Sequence, residues 1–336
     1  MSKAQNILVL GSTKDGATNV ICDKLKSLSC NFDLFSTSEF ENSKKIYCEV
    51  SSHNLILRSD DTVVDFSRYS SIYFRFWPSL NYCNTDGEIQ TKSAIISELY
   101  GFLQETTQLV INRPLSGMSN SSKLQQLNEI SDFGFRTLNF VCSTSESDLD
   151  EILERPDTFI TKGISGTRTR ASSFGSEAVW RLSGLRLTPT FFQVKGQSPE
   201  YRAHVVDNTV HVVRIDSPVV DYRYAERDGH QVGIELVEDF PLQLKSKCID
   251  FCVEYDLGFA GFDFITGENG ELYLLEVNPS PGFDFYDKKI GGKISTSLAE
   301  LLLSASFKRF QDPMRVNGLK VGEIFLEDDR RPDLIY

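Results

Sequence analysis

Apolar positions along this chain recur with two spacings, one near 3.6 residues and one of two, and the switches between them mark out its elements. NILVLGST from Asn6 reads as a short buried strand. A polar loop follows from Gly11 to Asn19, and helical spacing then runs from Val20 to Leu28. Strand-like runs continue at Phe32 to Phe35, Ile46 to Val50, Leu55 to Arg58 and Ile72 to Phe76. Helical spacing returns over Ile89 to Thr106, before a strand at Leu109 to Ile111. Beyond Pro114 the pattern predicts helices over Ser122 to Asp132 and Asp148 to Leu153. A strand at Thr158 to Lys162 leads into the loop GISGTRTRASS. From Thr190 it becomes paired strands, a helix over Leu242 to Tyr255, a hairpin, and a closing helix over Ser295 to Ser304. The implied class is α/β with α+β lobes: an N-terminal α/β domain over 1–113, a central lobe over 114–190, a further lobe over 191–306 and a tail over 307–336.

Composition narrows the function. The chain has 336 residues, 40% hydrophobic and 24% charged, enough for a sizeable core spread over several lobes. A net charge of -12 argues against a nucleic-acid partner or an anionic membrane, although a local basic pocket remains compatible with a nucleotide. Seven cysteines without a CxxC pair argue against a disulfide framework or a structural zinc site and fit a reducing cytoplasm. The start MSKAQNILVL lacks the pattern of a secretory signal, and no apolar run approaches the roughly 18 residues of a membrane span.

The most informative stretch is AGFDFITGENGELYLLEVNPSPGF. Asn269-Gly270 between two strand-like runs is a strong hairpin signal. With a two-residue turn Glu268 faces Glu271, so Asp263 lies opposite Glu276, with Asn278 two residues further on the same face. Opposed carboxylates stand about 5 Å apart at their Cβ atoms, and among apolar neighbours such as Leu274 and Val277 they call for a cation. Oxygen ligands of this kind suit magnesium completed by substrate phosphates. The alternative is a protonated carboxyl, or an exposed pair at the sheet edge.

That hairpin resembles the closing motif of ATP-grasp ligases, and the resemblance runs from Asn112 to Leu302. RimK-like peptide and amino-acid ligases and microviridin-type (graspetide) macrocyclases are the relatives it suggests. INRP at 111–114, SKLQQ with Lys123, FITKGISG with Lys162, FFQVKG at 191–196, EYRAHVV at 200–206, HVVRI with Arg214 and DYRYA at 221–225 arrive in the family's order. The resemblance implies an ATP-grasp fold, with a pre-ATP-grasp domain followed by two ATP-clamping lobes. It implies ATP and magnesium as cofactors, with manganese as a substitute. Asp263, Glu276 and Asn278 would hold the metal, and Lys123 and Lys162 the phosphates. The Gln193, Val194 and Lys195 hinge would meet adenine through its backbone, and Glu200 the ribose. Arg202 and Arg214 would be catalytic, neutralising phosphate or the acyl phosphate. Two departures concern the adenine side: Arg136-Thr137 replaces the usual Pro-Thr, and Gln193 stands where an acidic residue is commoner.

The chemistry explains these residue types. A carboxylate is a poor acyl donor until its oxygen has attacked the γ-phosphate, and that transfer is catalysed by positioning and charge neutralisation. Attack by an amine then develops oxyanion charge, for which a fixed guanidinium such as Arg202 is suited. Register bears on its partner: a two-residue Asp207-Asn208 turn puts Arg214 on the opposite face from Arg202, whereas a three-residue turn or bulge aligns them. The catalytic assignment of Arg214 needs the second arrangement.

Other features weigh less. GSTKDGAT at 11–18 lacks the Gly-Lys-Ser/Thr of a phosphate loop and reads as a turn or a substrate-facing loop. Arg75, among aromatics in SIYFRFWPSL, is either a stacked structural arginine or a substrate anchor. His204 and His211 read as strand residues, and Cys248 and Cys252 as buried helix positions. Arg168 and Arg170 in the loop from Ile164 to Ser173 suit a lid over triphosphate or a solvated basic loop. LKVGEIFL in the tail reads as an edge strand or a docking segment.

The reading is a carboxylate-amine or ester-forming ligase acting on a peptide or amino acid, with Arg75, Arg202, Tyr222 and Arg223 as the substrate contacts. The alternative is an ATP-binding regulatory protein of the same fold. Homo-oligomer assembly is left open.

Overall fold

The structure is a computed structural model describing residues 6–51, 53–60, 62–116, 120, 122–145, 149–164, 170–177, 179, 189–225, 227–305, 315–316 and 319–320. The N-terminal part contains β1 (Ile7–Gly11), α1 (Gly16–Ser27), β2 (Phe32–Ser36), α2 (Thr37–Asn42), β3 (Tyr47–Ser51), β4 (Asn54–Arg58), β5 (Val63–Asp65), β6 (Ser71–Phe74), α3 (Asp86–Glu105) and β7 (Leu109–Ile111). A parallel sheet of order β2-β1-β6-β7 forms its centre, and β3, β4 and β5 make a separate antiparallel sheet. β1 is buried at all five positions, as a central parallel strand requires. α1 begins earlier than the apolar spacing indicates, because Asp15 caps it by accepting from the Thr18 N–H at 2.9 Å.

The central part holds α4 (Lys123–Asp132), β8 (Phe140–Ser143), α5 (Asp150–Glu154), β9 (Phe159–Lys162), β10 (Ser172–Ser173) and β11 (Thr190–Val194), with sheet order β10-β9-β11-β8. Ser122 caps α4 by accepting from the Gln125 N–H. β12 (Gln197–Val206), β13 (Thr209–Asp216), β14 (Gly233–Val237), α6 (Leu242–Glu254), β15 (Phe259–Thr266), β16 (Leu272–Asn278), α7 (Asp284–Lys289) and α8 (Lys293–Ser304) follow. Their five strands form one sheet of order β14-β13-β12-β15-β16. Two further pairs of residues, β17 (Arg315–Val316) and β18 (Leu319–Lys320), form a short hairpin. The rest of LKVGEIFL, and Arg168, lie outside the described residues.

The five-stranded sheet is apolar on both faces, and each face has its own partner. Phe262, Phe264, Leu274 and Val277 pack with Phe251 and Cys252 of α6. On the other face Val213, Ile215 and Phe259 join Leu298 and Leu302 of α8 and Ile7, Val9 and Ile21 of the N-terminal part in one core. Each such side chain contributes roughly 1.5–3 kcal/mol on burial, and this shared core ties the two parts together. Among the described residues no helix is long and apolar enough to cross a membrane.

Candidate active site

The hairpin of β15 and β16 sets Asp263 against Glu276, and Gly261 against Asn278. Its turn differs from the two-residue reversal expected. Gly267 donates its N–H to the Glu271 carbonyl at 2.8 Å, so Glu268, Asn269 and Gly270 form a three-residue loop with Gly270 at φ +76°. That loop moves the register by one residue, and a bulge at Leu275 moves it back: Phe264 faces Leu274 while Asp263 faces Glu276. The two irregularities cancel at the carboxylates.

Arg202 on β12 stands across from Asp263, and its guanidinium makes an ion pair with that carboxylate. Gly261 makes room for it, since a Cβ there would lie 2.4 to 2.8 Å from the guanidinium atoms. Arg202 is 5% exposed. Burial works against its charge, but Asp263, Tyr286 and Tyr222 outweigh burial and keep it protonated. Burial raises Asp263 to about 6, with Arg202 opposing and Glu276 reinforcing. Glu276 lies below its ordinary range, because hydrogen bonds from Asn278 and Asp263 outweigh burial. The Asn278 amide donates to Glu276 at 2.9 Å and to Asp263 at 3.3 Å.

The central lobe brings lysines to the same place. Lys162, on β9, donates to Oε1 of Gln193 at 3.0 Å and lies 5.2 Å from the Phe191 ring. Burial lowers its pKa to about 8; Glu276 and Asp263 oppose the shift, while Lys123 and Arg223 add to it. Lys123 opens α4. Burial pushes Glu200 up to about 8, helped by Asp263 and Asp221 and opposed by Arg223 and Lys162. Tyr222 and Tyr286 share a hydrogen bond of 2.5 Å between their hydroxyls. Arg223 forms a two-point pair with Asp221 at 2.7 and 2.8 Å, and Glu276 also acts on its charge.

Two expectations are corrected by this geometry. Arg214 pairs with Tyr201 across a two-residue Asp207-Asn208 turn, one step out of phase with Arg202. It lies on the opposite face, 40% exposed, with Asp216 and Glu235, so the sheet does not bring it to the carboxylates. Arg75 is 9% exposed and fully engaged, donating to both Asp15 carboxylate oxygens, to Ser280 Oγ at 2.8 Å and to the Pro281 carbonyl at 3.0 Å. It clamps the loop after Asn278 to the N-terminal part rather than facing outward to a substrate. In the hinge, the N–H groups of Val194 and Lys195 donate to the Asn139 and Thr158 carbonyls. The unpartnered donor there is Nε2 of Gln193, a fully buried side chain. Lys162 can only donate, which fixes the amide oxygen toward it and leaves the NH2 for a ligand.

Two residues near the site make contacts that the sequence does not reveal. Asn112 donates to the Phe259 and Pro279 carbonyls and accepts from the Phe259 N–H at 3.0 Å. Gln126 likewise pairs with both backbone groups of Val277. Their motifs, INRP and SKLQQ, are visible, but their partners are about 150 residues away, the separation being 147 for Asn112 and Phe259 and 151 for Gln126 and Val277.

The donor set fits a hard cation with a nucleotide. Among the described residues no group of three or more His, Cys, Asp or Glu is placed to hold a metal alone. Two carboxylates and an amide are what magnesium uses when phosphates and water complete its shell. The orphaned Gln193 donor and the Lys162 ammonium lie where a nucleotide would complete them. A cleft of about 610 Å³ lined by Phe135, Tyr201, Phe240 and Leu274 opens on the opposite, α6 face of the same sheet and is not this site.

No family model and no curated protein matches the chain. Solved structures do. A Chryseobacterium gregarium RiPP-associated ATP-grasp ligase, in complex with ADP and a leader and core peptide, is 17% identical over 91% of this chain and 98% of its own, with a TM-score of 0.72. The macrocyclase MdnC of Microcystis aeruginosa MRC, bound with precursor peptide MdnA, is 16% identical over 89% and 100%, with a TM-score of 0.74. The ATP-grasp ligase PsnB, complexed with a phosphomimetic variant of its minimal precursor, Mg and ADP, is 20% identical over 90% and 98%, with a TM-score of 0.71. These likenesses, extending over about nine-tenths of the chain, show that it has the ATP-grasp fold, in the form seen in RiPP-associated ligases and macrocyclases.

Proposed function

We propose that this chain is an ATP-dependent, ADP-forming ligase that activates a carboxylate as an acyl phosphate and joins it to an amine or hydroxyl, with a peptide as its substrate. The observation that carries this reading is the half-buried Asp263 and Glu276 pair, flanked by Arg202 and acting on the charge of Lys162. A peptide substrate is supported by the leader, core and precursor peptides bound in the similar structures.

Asp263, Glu276 and Asn278 would hold magnesium, or manganese in its place. When bound, the ion offsets the charge of the phosphate oxygens. Lys162 and Lys123 neutralise the phosphate tail, Gln193 Nε2 donates to the base, and Glu200, largely protonated near neutral pH, donates to a ribose oxygen. Arg202, fixed by Asp263, stabilises the oxyanion that develops as the acceptor attacks. Tyr222 and Arg223 line the carboxylate side. Nothing in this scheme needs a covalent nucleophile from the protein.

The test is to supply magnesium, ATP and pooled peptides while following phosphate and ADP. Release that depends on a peptide carboxylate, together with a product lighter by one water, supports the ligase. Nucleotide binding without turnover on any acceptor supports the regulatory alternative instead.

A further inference from the structure

Edge strand β16 carries Glu276 and Asn278, and no strand pairs with its outer side among the described residues. Open backbone groups on such an edge normally face water or another strand. Here a side chain takes their place. Gln126 of α4 donates Nε2 to the Val277 carbonyl at 2.7 Å and accepts the Val277 N–H on Oε1 at 3.1 Å. Its carboxamide therefore acts as one peptide unit of a sixth strand, at the residue between Glu276 and Asn278. Gln126 is 5% exposed, so water does not compete for these bonds. On the same helix, Lys123 lies one turn earlier, at the i, i+3 spacing that shares a face.

The geometry points to Gln126 as a positioning residue that locks the carboxylate strand β16 to the helix bearing Lys123, setting the distance between the metal ligands and the phosphate-binding lysine. This rests on the magnesium-nucleotide reading of the site. Gln126 touches neither ligand. It acts through the backbone of Val277, whose neighbours on both sides face the cation. A second attachment, the Leu274 N–H donating to the Arg136 carbonyl at 2.8 Å, holds the strand further from the carboxylates. The edge therefore stays docked when Gln126 is changed, while the spacing at Glu276 relaxes.

The experiment measures ADP affinity across a magnesium series, and in EDTA, for the wild type, Gln126→Met and the neighbouring exposed control Gln125→Ala. Gln126→Met keeps the side-chain length and removes both bonds to Val277, with a longer one from Nε2 to Asn120 Oδ1 at 3.4 Å. The expected result is about a tenfold rise in the magnesium concentration giving half-maximal tightening, with affinity in EDTA and the behaviour of Gln125→Ala unchanged. If Gln126→Met does not fold, Gln126→Glu keeps the shape, loses the donor when ionised and should give the same shift. A folded variant with an unshifted magnesium dependence overturns the inference, as does equal weakening with and without magnesium, which marks a merely structural role. A wild-type chain that binds no ADP overturns the ligase reading itself, whereas wild-type binding beside an unshifted variant removes only this inference.

Discussion

Asp263 and Glu276 face each other across β15 and β16 with Arg202 paired to only one of them, Asp263. Removing charge from either carboxylate should therefore have different effects on stability and the same effect on activity.

Glu276→Gln leaves Arg202 its Asp263 partner and should cost less stability in EDTA than the change at Asp263. Asp263→Asn leaves the buried Arg202 without its counter-charge and should cost roughly 3–5 kcal/mol. Both should lower turnover by about a thousandfold or more, since each weakens the hold on the cation that offsets phosphate charge. Denaturant melts and phosphate-release assays on the two variants check this, and retained turnover in both would remove the proposed metal site.

Gly261→Ala places a methyl 2.4 to 2.8 Å from the Arg202 guanidinium. The arginine must leave Asp263 or tilt, and turnover should fall on the order of a hundredfold, as for loss of one oxyanion donor. ADP binding should change little. Comparing kcat with ADP affinity tests this.

Lys162 titrates near 8 because burial disfavours its charge, against an ordinary 10.5. Phosphate requires the charged form. Between pH 8 and 10.5 the free site thus carries less than one proton here, while a bound phosphate would hold this group charged. Binding takes up a proton, and affinity should fall by up to about tenfold per pH unit over that window. The same depression makes the unfolded chain the more protonated state there, so this group's contribution to stability rises with pH. Titration calorimetry in two buffers of different ionisation enthalpy reads the uptake, and Lys162→Met should abolish it.

Arg75, read from the sequence as either structural or a substrate anchor, is held by the protein's own groups, and Arg214, expected to be catalytic, lies on the far face. Arg75→Ala removes the ion pair with Asp15 together with the bonds to Ser280 and Pro281 that bridge two parts of the chain, and should cost about 3–5 kcal/mol, with Asp15→Asn non-additive with it. Arg214→Ala should leave turnover within about twofold, as expected of an exposed pair. A peptide KM that rises in Arg75→Ala while stability holds would restore the substrate-anchor role.

Much of the site is legible because its residues lie close in sequence. The opposition of Asp263 and Glu276 is expected from the hairpin and is present, although through a three-residue loop and a compensating bulge that the Asn269-Gly270 signal does not reveal. The Asp207-Asn208 hairpin follows the simpler rule, and that is what carries Arg214 to the far face.

What the sequence determined by itself is local: the apolar and polar periods, and the face shared by residues two apart on a strand. The tertiary structure alone decided which turn irregularities cancel and which distant groups meet. Arg75 reaches Ser280 over 205 residues and Gln126 reaches Val277 over 151. Such contacts leave no periodic trace, because a single buried amide or guanidinium is satisfied by whatever backbone packing brings within about 3 Å.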